Sequence, residues 1–301
     1  MKASCRLAAA AALTLPLLLS GCSLLPTTRK LPVPKAPLIE QTVTPEDLVA
    51  RLNQRWAALD NLTAWVEIQA SVLKTKEGIA KDYTTIRGNI LMRKPEMLRV
   101  YGRVPVIGTR AFDMVSDGKD FLLWIPSKNV AFEGGNAVKK KSANPLENLR
   151  PGFFMDAIVV RGLEPDDEYM VTAETVTVED TARKHLYSVP EYKLSIMRRK
   201  PGSQELAPVR VVTFHRDDLL PCEQDIYDSE GNLETQVFYA AYQDFGTDKY
   251  SSSVVIKRPL EEVQIILTVD KVVENQALPD EEWRRQFEVK PDAGTQVQKL
   301  E

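Results

Sequence analysis

Cysteine and histidine are the side chains of this sequence best suited to bind a metal ion or attack a substrate, and both are scarce. The 301 residues include three cysteines and two histidines, His185 and His215. Both histidines fall in predicted strands, and no carboxylates or thiols stand beside them at metal-ligand spacing. We therefore expect structural histidines, no metal site and no cofactor. Cys222 is expected to be a small buried residue rather than a reactive thiol.

Cys22 is the most informative cysteine because it closes an apolar run. Lys2 and Arg6 precede a stretch of mostly leucine and alanine, which is typical of a secretory signal and too short to span a bilayer comfortably. The run ends in Leu19-Ser20-Gly21-Cys22, which resembles the lipobox of bacterial lipoproteins. That resemblance implies a signal peptide over residues 1–21, lipid attachment to the Cys22 thiol and N-acylation with a chain such as palmitate. The alternative is an uncleaved anchor with an incidental cysteine.

Residues 22–43 are rich in proline, threonine and lysine, which favours an extended tether with a reach of about 3 Å per residue. Ser23 follows the cysteine, in place of the aspartate that resembles an inner-membrane retention signal. We therefore expect a lipoprotein of the bacterial outer membrane that faces the periplasm. The 39 basic and 42 acidic residues give a net charge of −3, which offers no reason to expect a nucleic-acid partner.

Two apolar helical segments interrupt a pattern that is otherwise typical of strands. Thr44-Pro45-Glu46-Asp47 predicts a helix N-terminus, with a capping threonine, proline in the first turn and acids against the helix dipole. A second helical segment is expected between Asn144 and Gly162, where the alternation of strands stops. The apolar residues of the two segments include Leu48, Leu52, Trp56, Phe153, Phe154 and Ile158.

Elsewhere apolar and polar residues alternate with a period of two, which predicts antiparallel strands. Turn signals such as Asp117-Gly118 and Pro201-Gly202 separate successive strands. The sequence therefore predicts one domain over residues 44–294, mainly β with helices (α+β), and a polar tail over 295–301. We expect about ten or eleven strands in a strongly curved sheet or barrel.

Short motifs in a fixed order carry a family resemblance over most of the chain from Thr44 to Gly294. They are Ile90-Leu91-Met92-Arg93-Lys94-Pro95, Leu98-Arg99-Val100, Ser116-Asp117-Gly118-Lys119, Leu123-Trp124-Ile125-Pro126 and Phe287-Glu288-Val289-Lys290-Pro291. These resemble the Arg-Pro strand end, the Asp-Gly hairpin with its aromatic strand and the terminal Phe-x-x-x-Pro of the bacterial outer-membrane lipoprotein carriers of LolA/LolB type.

The resemblance implies a single antiparallel, unclosed β-barrel (a half-barrel) over a hydrophobic cavity, with the two helical segments as a lid. Its implied cargo is the acyl chains of lipoproteins or lipid. Where the family has arginine before the strand-end proline, this chain has Lys94, with Arg93 one position earlier, so these two are the candidate lid latch. The residues expected to line the cavity are Val66, Ile68, Val72, Ile86, Ile90, Met92, Leu98, Val100, Phe112, Met114, Phe121, Leu123 and Ile125.

An apolar connection between two strands carries Val104, Val106 and Ile107, where polar turn residues would be usual. Two interpretations remain open for this loop. It could fold over the end of the barrel, or it could protrude as an apolar tip that touches the bilayer or a lipid cargo.

The sequence thus favours a membrane-anchored lipoprotein that binds acyl chains or lipid in outer-membrane lipoprotein or lipid sorting. A periplasmic carrier protein is a further candidate partner. The alternative is an envelope sensor or scaffold that uses the same fold to bind proteins. A hydrolase ranks last, because no nucleophile elbow, phosphate loop or dinucleotide fingerprint is present, and we expect the protein not to be an enzyme.

Overall fold

The computed structural model describes residues 40–74, 77–136, 150–180, 185–246 and 248–300. Cys22, the predicted signal peptide and most of the predicted tether lie outside the described residues. The chain divides into a large unit, Pro37–Thr177 with Ser188–Glu301, and a small unit, Met1–Ala36 with Val178–Tyr187. Of the small unit, the structure describes only residues 178–180, at the end of one strand, and residues 185–187, at the start of another. Within the described ranges, no helix is long and apolar enough to cross a membrane.

Fifteen strands form one sheet in the described part of the chain. They are β1 (Asn61–Lys74), β2 (Ile79–Asp82), β3 (Ile86–Arg93), β4 (Met97–Arg103), β5 (Arg110–Ser116), β6 (Asp120–Ile125), β7 (Val130–Gly135), β8 (Asp167–Asp180), β9 (His185–Arg199), β10 (Leu206–His215), β11 (Pro221–Tyr227), β12 (Leu233–Phe245), β13 (Asp248–Arg258), β14 (Val263–Glu274) and β15 (Gln296–Leu300).

The order across the sheet is β15-β7-β6-β5-β4-β3-β1-β14-β13-β12-β11-β10-β9-β8, and β2 pairs with the last residues of β1. Neighbouring strands with a described register are antiparallel, except that β15 runs parallel to β7. The two ends of this order, β15 and β8, are not paired with each other. The sheet is therefore unclosed and mostly antiparallel, as predicted.

The predicted number of strands is too low, and the segment predicted as a polar tail is partly a strand. Gln296–Leu300 forms β15 along the edge of β7. Side chains of β15 and β2 are almost all exposed, so neither strand has the alternating burial that reveals strands in a sequence. Backbone hydrogen bonds to a neighbouring strand define them instead, and hydrophobic periodicity does not report such bonds.

β1 joins the two halves of the sheet. It pairs with β3 on one side and with β14 on the other, so that Val66 lies opposite both Gly88 and Val269. Along β14, Ile265 and Leu267 are buried on one face while the residues between them are partly exposed. We call the face that carries these residues the inner face and the opposite one the outer face.

Helices cover both faces of the sheet. The described helices are α1 (Pro45–Ala58), α2 (Gly152–Ile158) and α3 (Asp280–Gln286). α1 begins as predicted, because the Thr44 hydroxyl accepts a hydrogen bond from the Asp47 amide at 3.1 Å. Leu48 and Leu52 of α1 pack with Leu194 of β9 and Val212 of β10 on the inner face.

α2 supplies Phe153, Phe154 and Met155 to the main core of the inner face, a buried cluster that includes Ile90 and Leu267. α3 lies on the outer face. Its Trp283 is 2% exposed and packs with Leu91 and Phe287. Leu91 and Ile90 are neighbours in β3 and therefore point to opposite faces, as the period of two requires.

The last residues of the predicted tether already contact the sheet. The Gln41 amide donates to the Arg216 carbonyl at 2.7 Å, and Val43 packs beside the cluster under α1. The folded unit therefore begins before Thr44, the boundary expected from the sequence. These contacts attach the chain next to the turn between β10 and β11.

We predict that Leu267→Ala lowers the free energy of unfolding by about 2–5 kcal/mol, because Leu267 is 0% exposed and its loss leaves a cavity. Urea denaturation measures the change. Leu260→Ala is the matched control, since Leu260 is 46% exposed and should change stability by less than about 0.5 kcal/mol. Equal effects of the two variants would contradict the assignment of the core.

Candidate functional site

A cavity of about 390 Å³ lies on the inner face between α1 and the strands of the C-terminal half. Its walls come from α1, from the end of α2 and the residues after it, from β1, from the end of β10 with the turn that follows, and from β12, β13 and β14. The cavity exists because the inner face of an unclosed sheet is covered by helices, and α1 does not fill the space above these strands.

Most of the wall is aliphatic or aromatic. The apolar side chains that line the cavity are Leu48, Leu52, Trp56, Ala58, Leu59, Ala64, Ile158, Val159, Val160, Phe214, Leu219, Leu220, Pro221, Val254, Val269 and Val272. Aliphatic walls of this kind favour apolar ligands, because burying each methylene group is worth about 0.8 kcal/mol. A cavity of this size is at the lower end of ligand pockets, which span roughly 300–1,000 Å³.

The cavity reaches solvent along a polar rim. Arg51, Ala58, Asp218 and Asn275 line it and are exposed, so they mark its mouth. Both signs of charge occur at this rim. An apolar chain inside the cavity could therefore keep a polar end in water.

Glu274 lies in the wall close to this mouth, together with Arg55 and Tyr250. The Arg55 guanidinium carbon is 5.1 Å from the centre of the Tyr250 ring, which is a cation–π contact. Burial raises the pKa of Glu274 above its ordinary value, a hydrogen bond with Tyr250 opposes this shift, and the neighbouring Asp248 carboxylate adds to it. The electrostatic surroundings therefore disfavour a full negative charge on Glu274.

The hydroxyl groups in the wall are already hydrogen-bonded within the protein. Tyr242 donates to the Pro221 carbonyl at 2.8 Å, and Tyr239 lies 3.3 Å from the Gln224 amide nitrogen. The Ser251 hydroxyl lies 2.7 Å from the Ala240 carbonyl oxygen and 2.9 Å from the Ala240 amide. Among the residues described as lining the cavity, none is a histidine or cysteine that could activate Ser251.

Lys94 holds the C-terminal end of α1, at the position predicted for the lid latch. Its ammonium group donates to the Trp56 carbonyl and lies 4.1 Å from the centre of the Trp56 indole. Asn275 donates to the Ala58 carbonyl at 2.8 Å. The last carbonyls of a helix have no partner inside the helix, so these two side chains satisfy groups that would otherwise need water. Burial lowers the pKa of Lys94, and the Asp60 carboxylate opposes the shift.

Arg93, the other candidate latch residue, contacts the helix on the outer face. It pairs with Asp280 of α3 at 2.7 Å, and its guanidinium carbon lies 5.6 Å from the centre of the Trp283 ring. Adjacent strand residues point to opposite faces, so Arg93 and Lys94 secure different helices. Only Lys94 of the two contacts the helix that borders the cavity.

α2 is held by polar side chains of the sheet. Gln224 donates to the Asp156 carbonyl at 2.7 Å, and the buried Arg210 donates to the Gly162 carbonyl at 2.6 Å. Arg161 pairs with the Asp156 carboxylate at 2.5 Å. Two of these contacts are to main-chain carbonyls, one at Asp156 in α2 and one at Gly162 after it. α2 is thereby fixed more firmly than the end of α1.

Several of the residues predicted for the lid border the cavity, but the residues predicted to line it do not. Leu48, Leu52, Trp56 and Ile158 border the cavity, and Phe153 and Phe154 are in the main core. None of the predicted lining residues borders this cavity. The main core contains Val66, Ile68, Ile90, Met92, Leu98, Val100 and Met114, against which Val72, Ile86, Phe112 and Leu123 pack; Phe121 is buried and Ile125 is half-buried.

The residues that do border the cavity include several that the sequence reasoning missed, above all Tyr239, Tyr250 and Val254. They follow the same period of two as their neighbours, and that period places them on the inner face. It does not show which part of the inner face the helices leave uncovered. The missing information was the position of α1 over β12 to β14.

The apolar loop between β4 and β5 protrudes. Val106 is fully exposed and Ile107 is 73% exposed, so the loop is not folded over the sheet. Val104 accepts from the Gly108 amide at 2.9 Å, and Val106 has φ of 69°. This left-handed conformation is unusual for a β-branched residue. The tip therefore presents apolar side chains without any packing partner in the described residues.

The structure also places a carboxylate and a thiol beside one of the histidines, against the expectation from the sequence. The ligand atoms of Glu191, His215 and Cys222 all lie within 4.8 Å of one another. Glu191 is 24 positions before His215 and Cys222 is seven positions after it, and the three lie on the neighbouring strands β9, β10 and β11. Spacing along the chain could not reveal this cluster. The His185 side chain lies outside the described residues.

The solved structures similar to this chain include three that cover most of its length. A DUF1329 family protein from Desulfovibrio piger has a TM-score of 0.52, 15% identity, and coverage of 80% of this chain and 97% of its own. A LolA superfamily protein from Nitrosomonas europaea has a TM-score of 0.50, 13% identity, and coverage of 80% and 97%. A domain from Vibrio parahaemolyticus, named for outer membrane lipoprotein sorting, has a TM-score of 0.50, 10% identity, and coverage of 80% and 96%.

At these identities the likeness shows the fold alone. The predicted LolA-like architecture is confirmed, because two of the similar structures carry that name or that of lipoprotein sorting and span most of this chain. No family model matches the sequence, and no curated protein matches it.

We predict that Lys94→Met loosens the last turn of α1, because it removes the donor to the Trp56 carbonyl but keeps an apolar stem. A charge-assisted hydrogen bond of this kind contributes about 1–3 kcal/mol. Hydrogen exchange should show faster exchange of the α1 amides near Trp56, with little change in β12 to β14.

Lys128→Met is the matched control, since Lys128 is exposed in the short turn before β7. It should leave the exchange of α1 unchanged. Unaltered protection of α1 in Lys94→Met would show that Lys94 does not hold the helix.

Proposed function

We propose that this protein is a membrane-anchored lipoprotein that binds an acyl chain in the cavity between α1 and β12 to β14. The observation that carries the proposal is the cavity itself, about 390 Å³ in volume, with an apolar wall and a polar mouth. Its architecture is similar to that of a LolA superfamily protein and of a domain named for outer membrane lipoprotein sorting. A role in sorting lipoproteins or lipid at the cell envelope is the function that both observations favour.

The physical logic of such a role needs no catalytic group. Moving an acyl chain from water into the cavity would gain about 0.8 kcal/mol for each methylene group. Because the chain arrives from a membrane or another protein, where it is already buried, most of this gain cancels. Small differences in packing and in the polar mouth then decide whether the cargo enters or leaves.

The contacts of α1 suit it to act as the movable cover. Leu48 and Leu52 anchor its first half in a buried cluster. Its last turn is held by the packing of Trp56 against the main core and by side-chain hydrogen bonds from Lys94, Asn275 and Arg55. Side-chain hydrogen bonds of this kind break at lower cost than a packed core. We infer that the end of α1 moves outward to admit cargo, while α2 stays fixed.

The anchoring proposal comes from the sequence alone. Lipidation of Cys22, as implied by its lipobox-like tetrapeptide, would hold the cavity close to one membrane surface. Ser23 favours the outer membrane and the periplasm as the location. In this arrangement the protein receives or hands over cargo rather than carrying it across the periplasm.

We propose a binding protein rather than a hydrolase. The one serine in the cavity wall, Ser251, lies within hydrogen-bond distance of both main-chain groups of Ala240. No acid–base pair among the residues described at the cavity is positioned to activate it. The hydroxyl groups of Tyr242 and Ser251 in the wall are hydrogen-bonded to main-chain groups of the neighbouring strands.

We predict that Ala58→Trp lowers the affinity of the Cys22→Ala form for a fluorescent fatty acid. Ala58 is exposed at the cavity mouth, and an indole at this position would occupy space that the acyl chain needs. Excluding only two methylene groups costs about 1.6 kcal/mol, which is a loss of affinity of about tenfold or more. A fluorescence titration measures the change.

Ala57→Trp is the matched control. Ala57 is also exposed at the end of α1 but does not line the cavity, so its affinity should stay within about twofold of the parent. The cavity is not the binding site if both variants weaken binding equally, or if neither does.

The protruding loop gives a separate prediction. Replacing Val106 and Ile107 with glutamate should reduce the sedimentation of the Cys22→Ala form with phosphatidylethanolamine–phosphatidylglycerol vesicles by about tenfold or more. Each of these side chains gains about 1.5–3 kcal/mol on burial, and they have no packing partner among the described residues. Leu260→Glu is the control, because Leu260 is 46% exposed on a different turn. Equal losses in both variants would point to charge alone rather than insertion of the loop.

A further inference from the structure

Glu191, His215 and Cys222 converge from three neighbouring strands. Glu191 lies on β9 directly opposite His215, the last residue of β10. Cys222 is the extra residue of a bulge in β11, where Phe214 pairs with Pro221 and Thr213 pairs with Glu223. Bulges re-aim a side chain that regular pleating would point elsewhere. The bulge thus brings the Cys222 thiol to the side of the sheet that carries Glu191 and His215.

The geometry of the cluster is close to that of a tetrahedral metal site. His215 Nδ1 and Glu191 Oε1 are 3.7 Å apart, and all three ligand atoms lie within 4.8 Å of one another. A tetrahedral ion with bonds of about 2.0–2.3 Å to nitrogen, oxygen and sulfur holds its ligand atoms about 3.5 Å apart. The distance between His215 Nδ1 and Glu191 Oε1 already fits this geometry. Small side-chain rotations would bring the Cys222 sulfur to the same separation from both.

Two of the three ligand atoms have few hydrogen-bond partners among the described residues. His215 Nδ1 is buried and has no hydrogen-bond partner in the described structure. The Cys222 thiol makes one weak bond, donating to the Thr213 carbonyl at 3.4 Å. A buried nitrogen lone pair without a donor is costly, because it has lost its hydrogen bonds to water.

The surrounding charges favour a cation. Besides Glu191 in the cluster, the acidic residue Glu223 directly follows Cys222 on β11 and lies opposite Thr213 of β10. Lys193 is the nearby cation on β9, and its ammonium pairs with Glu174. A divalent ion at the cluster would relieve the repulsion among these acidic groups.

We propose that Glu191, His215 and Cys222 bind a divalent metal ion of borderline softness, Zn²⁺, with water in the fourth position. Zn²⁺ accepts nitrogen, sulfur and oxygen ligands in tetrahedral geometry, whereas the hard ions Ca²⁺ and Mg²⁺ prefer oxygen alone. The ion reaches the cluster from solvent past the His215 side chain, which is 41% exposed. Binding forms a zinc–sulfur bond and releases the thiol proton to water, so no oxidant or reductant is needed.

A metal ion here would link β9, β10 and β11 beside the turn that borders the cavity. Residues Asp218, Leu219, Leu220 and Pro221 of this turn line the cavity, and Cys222 follows them directly. The ion would therefore stabilise one side of the cavity wall without contacting the cargo. This site is independent of the acyl-chain site, which lies on the inner face.

The test measures Zn²⁺ binding to the full chain carrying Cys5→Ser and Cys22→Ser, which leaves Cys222 as the one thiol of the sequence. Competition with a chromophoric chelator gives affinity and stoichiometry, and Co²⁺ substitution reports a thiolate ligand through its charge-transfer absorption. The variants Glu191→Gln, His215→Gln and Cys222→Ala each remove one ligand. Asp225→Asn is the matched control, an acidic residue on the same strand outside the cluster.

We expect one Zn²⁺ per chain, a rise in Tm on adding Zn²⁺, and a loss of affinity of about tenfold or more in each ligand variant. The Asp225→Asn variant should stay within about twofold of the parent. Absence of binding at micromolar Zn²⁺, or equal binding by the parent and all three ligand variants, would overturn the proposal. If Cys222→Ala fails to fold by circular dichroism, Glu191→Gln and the Co²⁺ spectrum of the parent still decide it.

Discussion

The structure depends on one constraint: the inner face of its sheet is apolar, and the sheet does not close to bury it. A β-sandwich would place a second sheet there, but this chain must use helices and the residues around them. α2 fills part of the inner face with Phe153, Phe154 and Met155, while α1 covers the strands of the C-terminal half. A helix contacts a curved sheet along a stripe, and the space left beside that stripe is the cavity. Fold and candidate site thus have the same physical origin.

The two helices on the inner face are held by different kinds of contact, and this difference is the basis for the proposed movement of the end of α1. Aromatic packing and bonds to its main chain, including those from Gln224 and Arg210, fix α2 and the residues after it. Exposed or half-buried side chains satisfy the last carbonyls of α1. Lys94 is a point-charge donor with a flexible stem, whereas an arginine in that position would offer a rigid planar fork. A lysine latch is therefore more easily released.

The sequence predicted the architecture better than the site. Capping of α1 by Thr44 and the alternation along β14 follow from local patterns, and the structure agrees with both. β15 was missed because its two apolar residues, Val297 and Leu300, are three positions apart and do not follow a period of two. The lining residues were predicted in β1 and in β3 to β6, and most of them are in the main core or pack against it. Periodicity reports which face a residue occupies, and only the three-dimensional position of α1 shows which part of that face stays open.

The central claim is that an acyl chain occupies the cavity between α1 and β12 to β14. The most direct measurement is photocrosslinking of the Cys22→Ala form with an acyl lipid that carries a diazirine on its chain, followed by peptide mass spectrometry. The account predicts crosslinks in α1 around Trp56 and in the strands that carry Tyr239 and Val254. Crosslinks confined to β3 to β6 or to the outer face around Trp283, or no crosslinks at saturating lipid, would contradict it.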